Sequence, residues 1–136
     1  MIKCIVGLKG LGKTKQLITM VNEAAENENG SILCIEKSPK LTYDINHKVR
    51  LIDTVDYKIT SFASFYGFLC GAYSQNYDIS TIFIDSLYKI TEDDDAERST
   101  AFFEHLEYLS DRTGINFVIT ISAEAEALPE IVKKYI

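Results

Sequence analysis

The sequence predicts a single α/β domain with a five-stranded, mainly parallel sheet and helices on both of its faces. Two observations lead to this prediction. Short apolar runs rich in β-branched residues alternate with segments whose apolar residues recur at helical spacing, and a chain of 136 residues favours one domain. Alternating strands and helices form βαβ units, whose connections give a parallel sheet. Because ligands of such sheets bind beyond the carboxyl ends of the strands, the last residue of each strand is a candidate site residue.

Each predicted element has its own local signal. The predicted strands are residues 2–6, 31–36, 49–53, 80–85 and 115–121. The predicted helices are residues 15–25, 61–74, 95–112 and a short last helix that begins after Pro129. Ser61 can cap the second helix, Gly114 ends the third, and Gly30 is typical of a helix stop. The buried face of the second helix is predicted to comprise Phe62, Phe65, Phe68, Leu69 and Tyr73.

Composition and charge narrow the classes of function. The net charge is −6, and the chain has no basic cluster beyond Lys9, Lys13 and Lys15, so there is no strong indication of nucleic-acid binding. The sequence has no apolar run that could span a bilayer and no secretion signal, so we expect a soluble, cytoplasmic protein without a membrane partner. The three cysteines lack metal-type spacing and are expected to be reduced thiols of the core: Cys4, Cys34 and Cys70.

The most specific motif is a phosphate-binding loop between the first strand and the first helix. Residues 7–14 match the pattern G-x-x-x-x-G-K-S/T, the Walker A motif or P-loop. Its glycines let backbone N–H groups surround a phosphate chain, and the following helix directs its positive N-terminal end at the same group. Lys13 is expected to reach the terminal phosphates, and the hydroxyl of Thr14 to hold Mg²⁺. The predicted nucleotide-binding residues are Gly7, Leu8, Lys9, Gly10, Leu11, Gly12, Lys13, Thr14 and Lys15.

A second motif stands at the end of the fourth predicted strand. The apolar run 82–84 is followed by Asp85, the form of a Walker B aspartate, which binds Mg²⁺ together with the P-loop hydroxyl. The alternative interpretation is an aspartate that caps the following turn. The acidic run 92–97 is interpreted as a solvated segment that favours the N-terminus of the next helix through the helix dipole.

In the order of these elements the chain resembles the RecA-like ATPases, including DnaB-type helicases and KaiC-type proteins. The resemblance implies the sheet order 3-2-4-5-1, with strand 115–121 between the P-loop strand and the strand before Asp85. It also implies that Glu36, at the end of the second strand, activates the attacking water and that Ser122 senses the terminal phosphate. The alternatives are a surface glutamate, paired with Lys37 or solvated, and a serine that caps the turn that follows. The chain is also similar to small bacterial P-loop proteins loosely labelled PilT-type or twitching-motility ATPases.

These observations predict a Mg²⁺-dependent ATP-binding protein, with weak or partner-stimulated ATPase activity. ATP is favoured over GTP because the guanine-reading motif Asn-Lys-x-Asp is missing from the sequence. Two other classes stay open. One is a regulatory or interaction module that binds nucleotide without hydrolysing it, and the other is a small-molecule phosphotransferase that uses the predicted loop 37–48 as its acceptor site. The partner, a second copy of the chain or another protein, is also left open.

Overall fold

The computed structural model describes residues 1–41 and 44–136. Thr42 and Tyr43, which belong to the predicted loop 37–48, lie outside the described residues. The prediction of an α/β fold is confirmed, because five strands form one sheet in which every strand pair is parallel. The strands are β1 (Ile2–Gly7), β2 (Ser31–Glu36), β3 (Arg50–Asp53), β4 (Ile79–Ile84) and β5 (Asn116–Ser122). Their order across the sheet is β1-β5-β4-β2-β3.

The helices begin and end close to the predicted positions. They are α1 (Lys13–Asn27), α2 (Phe62–Gln75), α3 (Leu87–Thr91), α4 (Ala96–Thr113) and α5 (Glu130–Lys133). The hydroxyl of Ser61 accepts from the backbone N–H of Ser64 at the start of α2, and Gly114 ends α4 with a φ of 78°. Two 3-10 turns, Thr54–Tyr57 and Ala125–Ala127, complete the secondary structure. The sequence analysis did not predict α3, which is only 5 residues long and therefore too short to show helical periodicity.

Two apolar cores cover the two faces of the sheet, as the prediction of helices on both sides requires. On one face α1 packs through Leu17 and Val21 against the sheet. On the other face α2 and α4 contribute an aromatic core, in which Phe65 and Phe102 stack with ring centroids 5.9 Å apart. The central strands are buried on both faces, which explains why they appear in the sequence as unbroken apolar runs.

The structure corrects the predicted role of Gly30. Helix α1 ends before it, at Asn27, and the φ of Gly30 is not positive, so this glycine does not form a left-handed helix stop. A Cβ at this position would lie 2.6 Å from the Cβ of Ser80 and 2.7 Å from the carbonyl oxygen of Asp78. Gly30 is therefore needed because two backbones approach each other closely at the start of β2.

Other predicted core residues are partly corrected. Phe62, Phe65 and Leu69 are buried on α2, whereas two members of its predicted face are only half-buried: Phe68 and Tyr73. Of the cysteines, Cys4 and Cys34 are buried while Cys70 is half-buried, and burial raises the pKa of the Cys4 thiol to about 12. In the described part of the chain, no helix combines the length and the apolar character needed to cross a bilayer.

Candidate functional site

The loop between β1 and α1 has a backbone that its glycines make possible. Gly10 and Gly12 have φ angles of 89° and 82°, in the left-handed region that side chains with a Cβ rarely adopt. Gly12 is also the N-cap residue of α1, and no side chain in the described residues caps this helix. The first amides of α1 are therefore left for another acceptor, and a helix N-terminus favours an anion.

Two residues of this loop make contacts that bear on its chemistry. The ammonium group of Lys13 donates to the carbonyl oxygen of Leu8 at 2.9 Å, so the side chain lies back along its own loop. The hydroxyl of Thr14 lies 3.3 Å from each carboxylate oxygen of Asp85, which is 71 residues further along the chain. The fold thus brings together the two residues that the sequence analysis predicted as magnesium ligands.

The position of Asp85 follows from the register of β4 and β5. Ile84 is paired with Ile119, so the next residues, Asp85 and Thr120, also lie side by side. The hydroxyl of Thr120 donates to a carboxylate oxygen of Asp85 at 2.7 Å and accepts from the backbone N–H of Ser86 at 2.7 Å. Thr120 holds the carboxylate in place, and sequence reasoning missed it because a threonine in an apolar strand has no distinguishing pattern.

Ser122 lies next to the loop between β1 and α1. It is paired in register with Gly7 on the neighbouring strand, and the backbone N–H of Ala123 donates to the carbonyl oxygen of Gly7 at 3.2 Å. Ser122 is exposed and lines the same cleft as Lys13 and Thr14. Its predicted role as a phosphate sensor stays a prediction.

These residues surround a cleft of about 320 Å³ at the carboxyl edge of the sheet. Five lysines and one carboxylate, that of Asp85, line it. The lysines are Lys9, Lys13, Lys15, Lys40 and Lys89. Five positive charges and one negative charge make the cleft cationic, although the whole chain carries a net charge of −6. The cleft therefore favours an anionic ligand.

Two of these lysines were not predicted. Lys40 comes from the loop after β2, and Lys89 comes from α3, after β4. The pKa of Lys89 is lowered. The largest cause is the positive charge of Lys40, followed by burial of the Lys89 side chain and by the positive charge of Lys9. Each lysine follows the carboxyl end of a strand by a few residues, which is the signal that could have identified them.

Glu36, the last residue of β2, is not the surface glutamate of the alternative interpretation, since it is buried and Lys37 pairs with Glu92 instead. Its side chain is only 2% exposed, and its two carboxylate oxygens accept from the backbone N–H groups of Lys40 at 3.0 Å and Leu41 at 3.4 Å. Burial raises the pKa of Glu36, the two backbone donors lower it, and the carboxylates of Asp85 and Asp53 raise it. Glu36 is not among the described residues that line the cleft. Its predicted role in activating water stays a prediction.

The acidic run 92–97 supports the local structure, as the sequence analysis interpreted it. The carboxylate of Asp95 accepts from the backbone N–H of Arg98 and so caps α4. Asp93 forms an ion pair with the side chain of Arg98 at 2.6 Å, and Glu92 pairs with Lys37 at 3.2 Å. Within residues 1–41 and 44–136 no group of three or more His, Cys, Asp or Glu side chains could hold a metal ion.

A larger cavity, about 450 Å³, lies between α2 and α4. Its lining is mainly apolar and aromatic, with Phe62, Tyr66 and Phe102 among its residues. The one arginine that lines it, Arg98, is already paired with Asp93. The smaller cleft is the stronger functional candidate, because it combines helix amides, unpaired cations and a carboxylate.

A comparison with protein-family models and with curated proteins finds none that matches this chain.

Proposed function

We propose that this chain is a Mg²⁺-dependent nucleotide-binding protein of the P-loop type, with ATP as its ligand. The observation that carries this proposal is the contact between Thr14 and Asp85, 3.3 Å apart in a cleft lined by five lysines. The Walker A pattern alone is a sequence match, which needs a matching structural context to indicate phosphate binding. Its correct placement between β1 and α1, with Asp85 beside Thr14, is the structural context in which such a pattern binds phosphate.

The residues present fit a nucleoside triphosphate. Its phosphate chain carries three to four negative charges, and five lysines and one carboxylate line the cleft. A volume of about 320 Å³ is at the lower end of what small-molecule sites offer, so the cleft suits the phosphate end of the ligand. Among the described residues that line it, none is aromatic, so this part of the site would bind phosphate and would not stack on the base.

The residues also fit Mg²⁺. This ion prefers oxygen ligands and is usually held by one or two protein groups together with substrate phosphates and water. The oxygens of Thr14 and Asp85 are such groups, and no larger acidic cluster is present in the described residues. When bound, the ion would offset phosphate charge, while Thr120 keeps the Asp85 carboxylate oriented through its 2.7 Å hydrogen bond.

The strand order supports the resemblance to RecA-like ATPases. Taken from its other edge, the observed order is β3-β2-β4-β5-β1, which is the order that the resemblance implies. In an ATPase of this type, Lys13 would stabilise charge on the transferred phosphate, Ser122 would sense it and Glu36 would activate water. We propose weak or partner-stimulated hydrolysis on this basis.

One observation favours a second candidate, a module that binds nucleotide without hydrolysing it. Both carboxylate oxygens of Glu36 accept from loop amides, and the side chain is buried. A general base needs an oxygen that faces its water. Measuring phosphate release beside ATP binding separates the two candidates, because only an ATPase releases phosphate, and Glu36→Gln should abolish that release.

Thermal melting tests the binding proposal. Wild type is compared with Lys13→Ala and with Lys3→Ala, a control at an exposed lysine of β1 outside the cleft. At a hundredfold excess of Mg-ATP over its Kd, ligand binding should stabilise the wild type and the control by about 2.7 kcal/mol. Lys13→Ala should lose this stabilisation. An equal shift in all three proteins, or no shift in the wild type, would refute the proposal.

The magnesium part is tested by Asp85→Asn, which keeps the shape of the side chain and removes its charge. In wild type, we expect Mg²⁺ to increase the shift produced by ATP, because Thr14 and Asp85 contribute oxygens to the ion. In Asp85→Asn the shift should become independent of Mg²⁺. If Mg²⁺ still increases the shift in the variant, Asp85 is not the ligand.

A further inference from the structure

Two of the lysines that line the cleft come from outside the P-loop. Lys40 lies on the loop after β2 and Lys89 lies on α3. We call them the lysine pair. They reach the same cleft as Lys13 and Thr14 from two different strand ends, although they are 49 positions apart in the numbering of the chain. Local sequence does not bring them together, so their convergence is a property of the sheet.

The lysine pair has no carboxylate partner in the described residues. Ion pairs within 4.0 Å engage Lys37, Lys133 and Lys134, but neither Lys40 nor Lys89. Among the described residues that line the cleft, only Asp85 has a carboxylate, and it already accepts from Thr120 and Thr14. Two cations that share a cleft repel each other, and the lowered pKa of Lys89 reflects that repulsion. A polyanion between them would relieve it.

The backbone that carries Lys40 is held by a buried acid. The carboxylate of Glu36 accepts from the N–H groups of Lys40 and Leu41, and the side chain of Leu41 is itself buried at 3% exposure. At the other end of this turn, the backbone N–H of Ser38 donates to the carboxylate of Asp53 at 2.9 Å. Acids at the ends of β2 and β3 therefore fix the path of the loop that presents Lys40.

We propose that the lysine pair binds the phosphate chain of the ligand, and that Glu36 is the positioning residue that holds Lys40 at the cleft. This inference rests on the function proposed for the same cleft. It names the ligand group as a chain of linked phosphates. Both the P-loop and the lysine pair would bind this chain. It also gives Glu36 a task that uses both of its observed hydrogen bonds.

The first experiment measures the Kd of Mg-ATP and of inorganic tripolyphosphate by titration calorimetry. The variants are Lys40→Met and Lys89→Met, with Lys3→Met as a matched control that loses the same charge outside the cleft. A charge-assisted hydrogen bond to phosphate corresponds to about tenfold in affinity. We expect each lysine-pair variant to weaken both ligands by about that factor, because both carry the same phosphate chain. Wild-type affinity in both variants, or a loss confined to ATP, would overturn the proposal.

The second experiment tests whether Glu36 acts through Lys40. We expect Glu36→Ala to weaken ATP binding by a factor close to that of Lys40→Met, and Glu36→Gln, which keeps one acceptor oxygen, to restore part of it. In the double variant Glu36→Ala/Lys40→Met, the Glu36 substitution should add little further loss. If the double variant loses affinity by the product of the two single-variant factors, the two substitutions act independently, and the positioning role of Glu36 would be overturned.

The outcomes separate this inference from the function on which it rests. If the wild type binds ATP and Lys13→Ala does not, while both lysine-pair variants bind like the wild type, only the inference fails. If the wild type binds neither ATP nor tripolyphosphate, the proposed function fails and the inference fails with it.

Discussion

Two loops present lysines to the same cleft, and they are held by opposite means. The loop that carries the Walker A pattern, residues 7–14, relies on its own backbone: Gly10 and Gly12 adopt left-handed conformations, and its apolar side chains Leu8 and Leu11 are 52% and 72% exposed. The loop after β2, which begins at residue 37, relies on burial, because Leu41 and the last residue of β2, Glu36, are almost inaccessible to solvent. The conformation of the first loop depends on the backbone angles that glycine allows. The conformation of the second loop depends on the hydrogen bonds that its buried polar groups need.

The conformation of the first loop could be predicted from the sequence, whereas for the second loop only its position, within the predicted segment 37–48, could be predicted. The conformation of the P-loop is a local property of its glycines, so the sequence pattern predicts it directly. The loop after β2 depends on a carboxylate that is buried only because β2 lies inside the sheet, between β4 and β3. Substitutions that disturb the two loops separately should therefore have different effects on the free energy of unfolding.

The largest effect is expected from removing the buried acid. Glu36→Ala leaves the N–H groups of Lys40 and Leu41 without the acceptor that they now have, and a buried donor without a partner costs about 1–3 kcal/mol. We expect the free energy of unfolding to fall by that amount in a denaturant titration. The control is Glu26→Ala, at an exposed position of α1, which should change little. A Glu36→Ala protein as stable as the control would show that these hydrogen bonds contribute nothing to folding.

A smaller effect is expected from the P-loop backbone. Apart from Gly12 itself and its two chain neighbours, no described atom lies within 4 Å of a Cβ at this position. Gly12→Ala would therefore cost only the strain of the left-handed φ of 82°, about 1–2 kcal/mol. The matched control is Gly67→Ala on α2, where the added Cβ also meets no atom within 4 Å but φ is not positive. There the same substitution should stabilise the protein by about 0.5–1 kcal/mol. Opposite signs in denaturant unfolding would support the comparison, whereas equal signs would contradict it.

The smallest effect concerns pH. Because the pKa of Glu36 is raised in the folded state, the folded protein binds this proton more tightly than the unfolded chain does. Stability from this group is therefore present at pH below the ordinary glutamate pKa and is lost as pH rises through the higher folded value. Glu36→Gln cannot titrate, so the stability of the variant relative to wild type should increase across that window. A difference that is constant with pH in urea titrations would mean that the pKa of Glu36 is not raised.

The α/β class, the five strands and the glycine-rich loop between β1 and α1 could be predicted from the sequence, because each depends on a local pattern. Apolar β-branched runs specify strands, Ser61 and Gly114 mark helix ends, and the spacing of Gly7, Gly12 and Lys13 specifies the loop. Asp85 was selected as a residue at the carboxyl end of a predicted strand, and Ser122 was added by the resemblance to RecA-like ATPases. The functional roles of these residues stay predictions.

The contacts between side chains that are distant in the chain could be seen only in the folded structure. Strand register set Thr120 beside Asp85, the burial of β2 turned Glu36 toward the amides of its own loop, and the convergence of strand ends brought Lys40 and Lys89 to one cleft. The close approach at Gly30 likewise depends on the neighbouring Ser80. All of these features depend on the assembled sheet. Thr120 and Asp85, Lys40 and Lys89, and Gly30 and Ser80 come from different strands or strand ends, and Glu36 is buried because β2 lies between β4 and β3. The register of parallel strands depends on packing on both faces of the sheet.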